Sequence, residues 1–292
     1  MKKILVVCFL VLTGLFVALT VLDKSEYGIE KRFWSLQKRF EKIAEDPKAV
    51  PERSYADLVR QYRRLIKKAP ESPLGPKIYL QIAKIYSLRE EHAKVRDVFE
   101  EILKNYAEND VLCSVTLRNI GMTYEKEGVM EQALGVYQRV LDEYPLTEAG
   151  LGMPLYIVDY YKRSQKADKL VEALRVAETR YKNVADAMPG TQFGIEALRH
   201  LSTVYLYRQD WRSVVDVLGQ ILVQYAGSGQ LSPADAKNKV VRFINAVSVQ
   251  QIKDPSVAIG IYEKFIVQNP KHPLNDFLQN TIDSLKGSQN NE

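Results

Sequence analysis

The sequence predicts an all-α protein, an α-solenoid of about six stacked helix pairs behind a single N-terminal transmembrane helix. Three observations carry that expectation. Amphipathic segments of helical period follow one another in pairs; the pattern of one pair returns along most of the chain after the first ~50 residues; and an uncharged apolar run opens the sequence.

The clearest pair is Ser114–Pro145, SVTLRNIGMTYEKEGVMEQALGVYQRVLDEYP. Leu117, Ile120, Gly121 and Tyr124 fall at i, i+3, i+4 and i+7, one face of a helix, and Ala133, Tyr137, Val140 and Tyr144 form the matching face of a second. Glu127-Gly128 supplies the turn between them and Pro145 the stop. Gly121 and Ala133 lack bulk where two antiparallel helices would cross, so they are expected to meet there.

The same offsets recur. Upstream stand Ile82-Ala83, Tyr86, Val95, Phe99, Ile102 and Tyr106; downstream, Ile157-Val158, Tyr161, Leu170, Leu174, Ala177 and Tyr181. Leu201-Ser202, Tyr205, Val214, Leu218, Ile221 and Tyr225 follow, then Ala246, Val249, Ala258, Tyr262, Phe265 and Pro270. Leu58, Tyr62, Leu65 and Pro70 match the second helix of a leading pair, making six units. Leu-Gly…Tyr followed by Ala…aromatic…Pro at these spacings resembles the tetratricopeptide repeat. Only the Ser114–Pro145 unit has Gly at the small position; Ala83, Val158, Ser202 and Ala246 replace it elsewhere.

Composition is that of a folded chain: 46% hydrophobic and 26% charged, with a formal net charge of +5 over 292 residues. Lys2 and Lys3 supply part of that charge, so nucleic acid is not expected as a partner. The two cysteines offer no disulfide framework, since Cys8 lies in the apolar run and Cys113 at the start of a repeat helix, where a small buried residue is the expected reading.

Three segments divide the chain: a signal-anchor over 1–23, a repeat domain over 24–286 and a polar tail over 287–292. Ile4–Leu22 carries no charge, and at a helical rise of ~1.5 Å per residue it would cover about 28 Å of the ~30 Å hydrocarbon core. Lys2 and Lys3 ahead of it hold the N terminus in the cytoplasm, which places the repeats across an inner membrane, facing the periplasm. Cleavage and release to the periplasm is the alternative, although Ala18-Leu19-Thr20 followed by Val21-Leu22 makes a poor processing site.

Ile29, Phe33, Leu36, Phe40 and Ile43 then mark one helix stripe, suited to packing within the first repeat or to a self-associating seam. Trp34 lies beside it among Lys31, Arg32, Lys38 and Arg39, a position for a core or rim tryptophan or for a headgroup interface. Ser54 is expected to cap the next helix, which runs to Ala69 and turns Arg60, Arg63, Arg64, Lys67 and Lys68 away from its apolar face. That basic face suits solvent, anionic lipid or an acidic partner. Longer joints are expected over Asn183–Gly194 and Ala226–Asp235, and a last amphipathic helix through Leu274, Phe277, Leu278, Ile282 and Leu285 is expected to cover the final repeat.

No catalytic constellation is legible. His92, His200 and His272 lack a second ligand at helical spacing, and no phosphate-cradling Gly-rich loop or nucleophile elbow occurs, so neither metal nor cofactor is expected and an enzyme is not predicted. What the resemblance implies is a right-handed stack whose first helices line a concave groove for a protein or peptide. Facing that groove would be Lys77 and Lys84, then Arg118, Met122 and Lys126, then Asp159, Lys162 and Arg163, then Arg199, Thr203 and Tyr207. Their basic bias suggests an acidic or C-terminal-carboxylate ligand. With Tyr144-Pro145 in a repeat and a last unit reading FIVQNPKHP from Phe265 to Pro273, the chain also resembles envelope proteins of bacteria that help assemble outer-membrane or wall components, and an anchored scaffold for such assembly is the function that resemblance implies. An accessory or substrate-binding subunit of an enzyme complex is the alternative, and the oligomeric state is left open.

Overall fold

The computed structural model describes residues 25–47 and 49–289. Every described element is a helix. In chain order the pairs are α1 (Glu26–Ala44) and α2 (Glu52–Lys68), α3 (Gly75–Leu88) and α4 (His92–Asn105), α5 (Asp110–Lys126) and α6 (Met130–Glu143), then α7 (Glu148–Arg163) and α8 (Ala167–Ala187). Next come α9 (Gln192–Arg208) and α10 (Trp211–Ile221, prolonged by a π-helical turn over Leu222–Ala226). A composite α11 (233–252), in which π-helical stretches Ala236–Val241 and Val247–Ile252 flank Arg242–Ala246, pairs with α12 (Pro255–Gln268), and α13 (Asn275–Gln289) closes the chain.

The described helices form two compact units that divide between Val140 and Leu141, within α6. In the first unit α2 packs on α1 and α3, α3 on α4, and α4 on α5. In the second, α7 packs on α8, α8 on α9, α9 on α10, α10 on α11, and α12 on α13. Both units bury much of the apolar stripes read from the sequence, with Phe40, Tyr86, Tyr124 and Tyr161 among the half-buried members. The stripe of α1 lies on α2, with the Phe33 and Tyr62 rings 6.2 Å apart, so it belongs to the first helix pair. Leu274, Leu278, Ile282 and Leu285 are buried where α13 meets α12.

The turn inside the five pairs from α3–α4 to α11–α12 is the feature these repeats share most closely. Gly128 has φ +75°, and the matching residues Glu90, Gln165, Gln209 and Lys253 adopt the same left-handed conformation with φ between 54° and 57°. The next backbone N–H reaches back across the turn: Glu91 to Tyr86 O, Val129 to Tyr124 O, Lys166 to Tyr161 O and Asp210 to Tyr205 O, at 2.9–3.1 Å. This 6→1 bond satisfies a carbonyl that the helix end would orphan.

Several sequence expectations are corrected. Pro51, not Ser54, stands at the N-terminus of α2, which starts at Glu52; proline suits the first turn because it has no N–H to satisfy. The neighbour that a β-carbon on Gly121 would meet first is the ring of Tyr137. Part of each longer joint is helical, since α8 runs to Ala187 and α10 continues through Ala226. The remaining loops touch, Gly190 N donating to the Tyr225 hydroxyl at 3.3 Å and the Gln230 amide donating to Gly190 O. In the last pair Val249, aligned with the repeat tyrosines, is exposed, and Ser248 is buried in its place. The π-helical turns of α11 take up an additional residue, so its turn closes from Asp254 N to Ser248 O and the packed register moves by one. Gly287 continues α13 instead of starting the tail.

The expected membrane segment Ile4–Leu22 and the end of the tail, 290–292, lie outside the described residues. Among the described residues, no helix is long and apolar enough to cross a membrane.

Candidate partner-binding groove

Helices α3 and α5 form the walls of a groove in the first unit and α4 its floor. Asn109 fixes the start of α5 by accepting from Leu112 N at 2.9 Å, leaving the helix N-terminus satisfied by its own cap. Arg96 of α4 ties down the other end, donating to Glu127 at 2.5 Å and to Thr123 Oγ1 at 3.2 Å while its guanidinium lies 4.2 Å from the Tyr124 ring centre. Between the walls lies a cavity of about 240 Å³. Leu80, Ala83, Val95, Phe99 and Met122 give it an apolar lining; Lys84, Lys126 and His92 stand in the same lining, with Ser87, Asn119 and Thr123 as neutral polar groups. No carboxylate lines it.

Three residues expected to face a partner therefore converge here: Lys84, Met122 and Lys126. Met122 is 40% exposed, large for an apolar side chain beside two lysines. Lys77 is exposed on α3 but does not reach the cavity. Arg118 is half-buried on α5, its Nε enclosed without a hydrogen-bond partner, and it too lies outside the lining.

The expected groove residues of the second unit are engaged with one another. The Tyr207 hydroxyl of α9 donates to Asp159 Oδ1 of α7, and Lys162 Nζ sits 4.3 Å above the Tyr207 ring. The Asp159 carboxylate and partial burial push the Tyr207 hydroxyl up to about 12. Arg163 Nε donates to the Asp159 carbonyl at 3.3 Å, Arg199 to Glu196 at 2.6 Å, and Thr203 Oγ1 to the Arg199 carbonyl at 3.1 Å. The basic bias expected along the first helices is thus offset here by Asp159 and Glu196. It persists at Lys84 and Lys126, for which the described residues supply no ion pair.

On α2 the expected outer basic face is partly compensated. Arg63 makes a two-pronged bond to Glu101 of α4, both contacts 2.8 Å, and Arg60 stands 3.5 Å from Asp57. Arg60, Arg63, Arg64 and Lys67 line one shallow depression with Tyr86; Arg64 also borders a cleft with Arg32 and Lys68.

Among the described residues, no three His, Cys, Asp or Glu side chains are grouped so as to hold a metal ion. His200 is packed against the Tyr181 ring, 5.1 Å between centres, and burial pushes its pKa down. The Cys113 thiol is buried and donates to Tyr106 O at 3.3 Å.

Sequence reasoning missed the groove floor. Val95 and Phe99 read as packed second-helix positions, and both are nearly buried; only their placement between α3 and α5 shows that they also floor a cavity. His92, which has no second ligand at helical spacing, joins the same lining.

Comparison with known proteins bears on the wall formed by α5 and on α6 beyond it. Residues 116–147 match the tetratricopeptide repeat family. The matched repeat contains Arg118, Met122, Lys126, Gly128 and the Tyr124 carbonyl that closes the turn. No curated protein matches the chain by sequence. Solved structures to which the chain is similar include BtubC (BKLC) from P. vanneervenii, 13% identical, covering 92% of this chain and 94% of that one at a TM-score of 0.38. A tetratricopeptide repeat protein from Parabacteroides merdae is 11% identical over 88% and 99% of the two chains, TM-score 0.37. Human IFIT1, solved as a dimer with m7Gppp-AAAA, is 17% identical over 89% and 61%, TM-score 0.38.

Proposed function

We propose that the chain is a scaffold that binds an acidic peptide segment of a partner protein in the α3–α4–α5 groove. One observation carries this reading: an apolar cavity bordered by Lys84 and Lys126 and free of carboxylates. An apolar residue of the partner fills the space lined by Leu80, Phe99 and Met122, and flanking acidic groups meet the lysines. Burial of the anchor supplies affinity, while the lysines select charge and speed encounter. The tetratricopeptide match over 116–147 supports the reading because it includes one wall of the groove.

In this proposal Ile4–Leu22 holds the scaffold in an inner membrane, the repeats face the periplasm, and the bound partner belongs to an assembly of the bacterial envelope. Release to the periplasm after cleavage of the same segment would leave the groove's role unchanged. Fluorescence anisotropy tests the groove directly. A labelled peptide with one leucine or phenylalanine among aspartates and glutamates should bind, more tightly at low salt, and its lysine counterpart should not. Equal binding of both peptides would overturn the proposal.

A further inference from the structure

The first described helix, α1, buries one stripe against α2 and leaves two aromatic side chains in solvent. Tyr27 is 71% and Trp34 57% exposed. They stand at i and i+7 and share a face, so the exposure is an organised feature of the helix and not two accidents. Trp34 reaches back only to touch the edge of Phe33, with ring centres 5.5 Å apart. The structure thereby removes the core reading of Trp34.

Charge on α1 is sorted about these aromatics. Glu26, Glu30 and Glu41 lie to one side; Lys31, Lys38 and Lys42 lie to the other, all three exposed and without an ion pair among the described residues. Beyond the lysines the surface passes into a cleft of about 530 Å³ between α1 and α2, where Arg32, Arg64 and Lys68 surround Leu36 and Leu65. Arg39, on the same side, is bound to Asp57 at 3.2 Å. Exposed Tyr and Trp beside unpaired lysines, continued by a basic cleft with an apolar base, match the chemistry of a lipid headgroup region. In sequence, the apolar run ends at Leu22, just ahead of α1.

We propose that this face of α1 lies on an anionic membrane surface, with Tyr27 and Trp34 at headgroup depth and Lys31, Lys38 and Lys42 against lipid phosphates. An acidic protein would satisfy the lysines but would not explain why the aromatics share their face at the end of the chain nearest the apolar run. The proposal rests on the reading of Ile4–Leu22 as a membrane segment for its geometry, yet it makes a separate prediction. It also sets the role of α1 apart from that of the α3–α5 groove.

The test uses the full chain carrying Trp211→Phe, which leaves Trp34 as the single tryptophan. It is mixed with phosphatidylcholine vesicles, alone or containing phosphatidylglycerol, with bromine on the acyl chains as quencher; flotation and Trp34 emission are read on the same sample. Quenching of Trp34 in the anionic vesicles is expected. Lys31→Gln, Lys38→Gln and Lys42→Gln should each weaken it by roughly fivefold at low salt without changing flotation. If the chain floats with neutral and anionic vesicles alike while Trp34 stays unquenched, the surface proposal is overturned and the anchor stands. If it floats only with anionic vesicles and Trp34 is quenched, the surface stands and the anchor reading fails. Should Trp211→Phe lose its helical circular dichroism, the difference in quenching between the unaltered chain and Trp34→Phe gives the same answer.

Discussion

Gly121 faces the ring of Tyr137 so closely that a β-carbon on the glycine would stand 2.2 Å from Tyr137 Cε1 and 2.8 Å from Cζ. The glycine therefore makes room for a ring whose hydroxyl donates to Glu125 at 3.0 Å. In an exposed helix Gly→Ala would add about 1 kcal/mol of stability. Here the sign should reverse. Gly121→Ala is expected to lower the unfolding free energy by about 1–3 kcal/mol through overpacking. Tyr137→Leu in the same chain should recover part of that loss, because the two side chains are in contact and their effects will not add. A urea denaturation series measures both; additive losses would show that the ring is not what excludes the methyl group.

Pro154 interrupts α7, and the hydroxyl of Tyr181 lies where the helix ladder is disturbed. It accepts from Leu155 N at 3.3 Å and donates to Leu151 O at 2.9 Å, thus standing between two groups that would otherwise bond to each other. Burial pushes the hydroxyl pKa up. Tyr181→Phe should cost about 1–3 kcal/mol if the helix cannot close the gap, since a buried donor and acceptor lose their partner. A variant as stable as the parent would mean that Leu155 N and Leu151 O bond directly once the hydroxyl is gone, and amide exchange at Leu155 would then remain slow.

The helix pairs were legible because a 3.6-residue period and a proline stop are local properties, as at Tyr137, Val140 and Pro145. Other features depend on residues that announce nothing locally. Gly128 marked its turn, but Glu90, Gln165, Gln209 and Lys253 take the same left-handed conformation with side chains that ordinarily avoid it. Alignment by fixed offset failed in α11, where π-helical turns absorb a residue and bury Ser248 in place of Val249. Gly75 and Tyr106, and Gly194 and Tyr225, are equally spaced, and each glycine is overlain by the hydroxyl of its tyrosine. For the candidate site, helix register located Lys84, Met122 and Lys126, whereas the neutralisation of the Asp159, Lys162 and Tyr207 group arises between α7 and α9, whose mutual register no local rule sets.

Glu178 of α8 joins that helix to α9. It accepts from Lys182 at 2.7 Å and from the Tyr205 hydroxyl at 3.0 Å, and is paired with Arg208. The Lys182 bond, with those of Arg208 and Tyr205, holds its carboxyl down at about 2 against the resisting effect of burial. A folded pKa below the unfolded value of 4.5 contributes stability above that value and loses it as pH falls from there toward about 2. Glu178→Gln should therefore be less stable than the parent at neutral pH, with the gap closing through this acid window. Partial exposure and added salt will reduce the gap. A stability difference that stays constant down to the acid limit would show that the carboxylate's charge is not what joins the helices.

Binding gives the last prediction, and the structure changes which residues should be altered to test it. Among the expected groove cations, Arg199 is held by Glu196 and Lys162 lies over the Tyr207 ring, so reversing either would disturb existing contacts before it affected a ligand. Arg63 is equally unsuited as a control on the outer face, because its loss would strand Glu101. Lys84 and Lys126 border the carboxylate-free cavity and have no ion pair among the described residues. Lys84→Glu and Lys126→Glu should leave the thermal midpoint nearly unchanged and weaken an acidic peptide by roughly tenfold or more at low salt, less at high salt. Met122→Ala should weaken the same peptide at every salt concentration, since it removes apolar contact and not charge. Lys77→Glu, exposed on the same helix but away from the cavity, is the matched control. If Lys77→Glu weakens binding as much as Lys84→Glu, the peptide is responding to the net charge of α3 and the cavity is not its site.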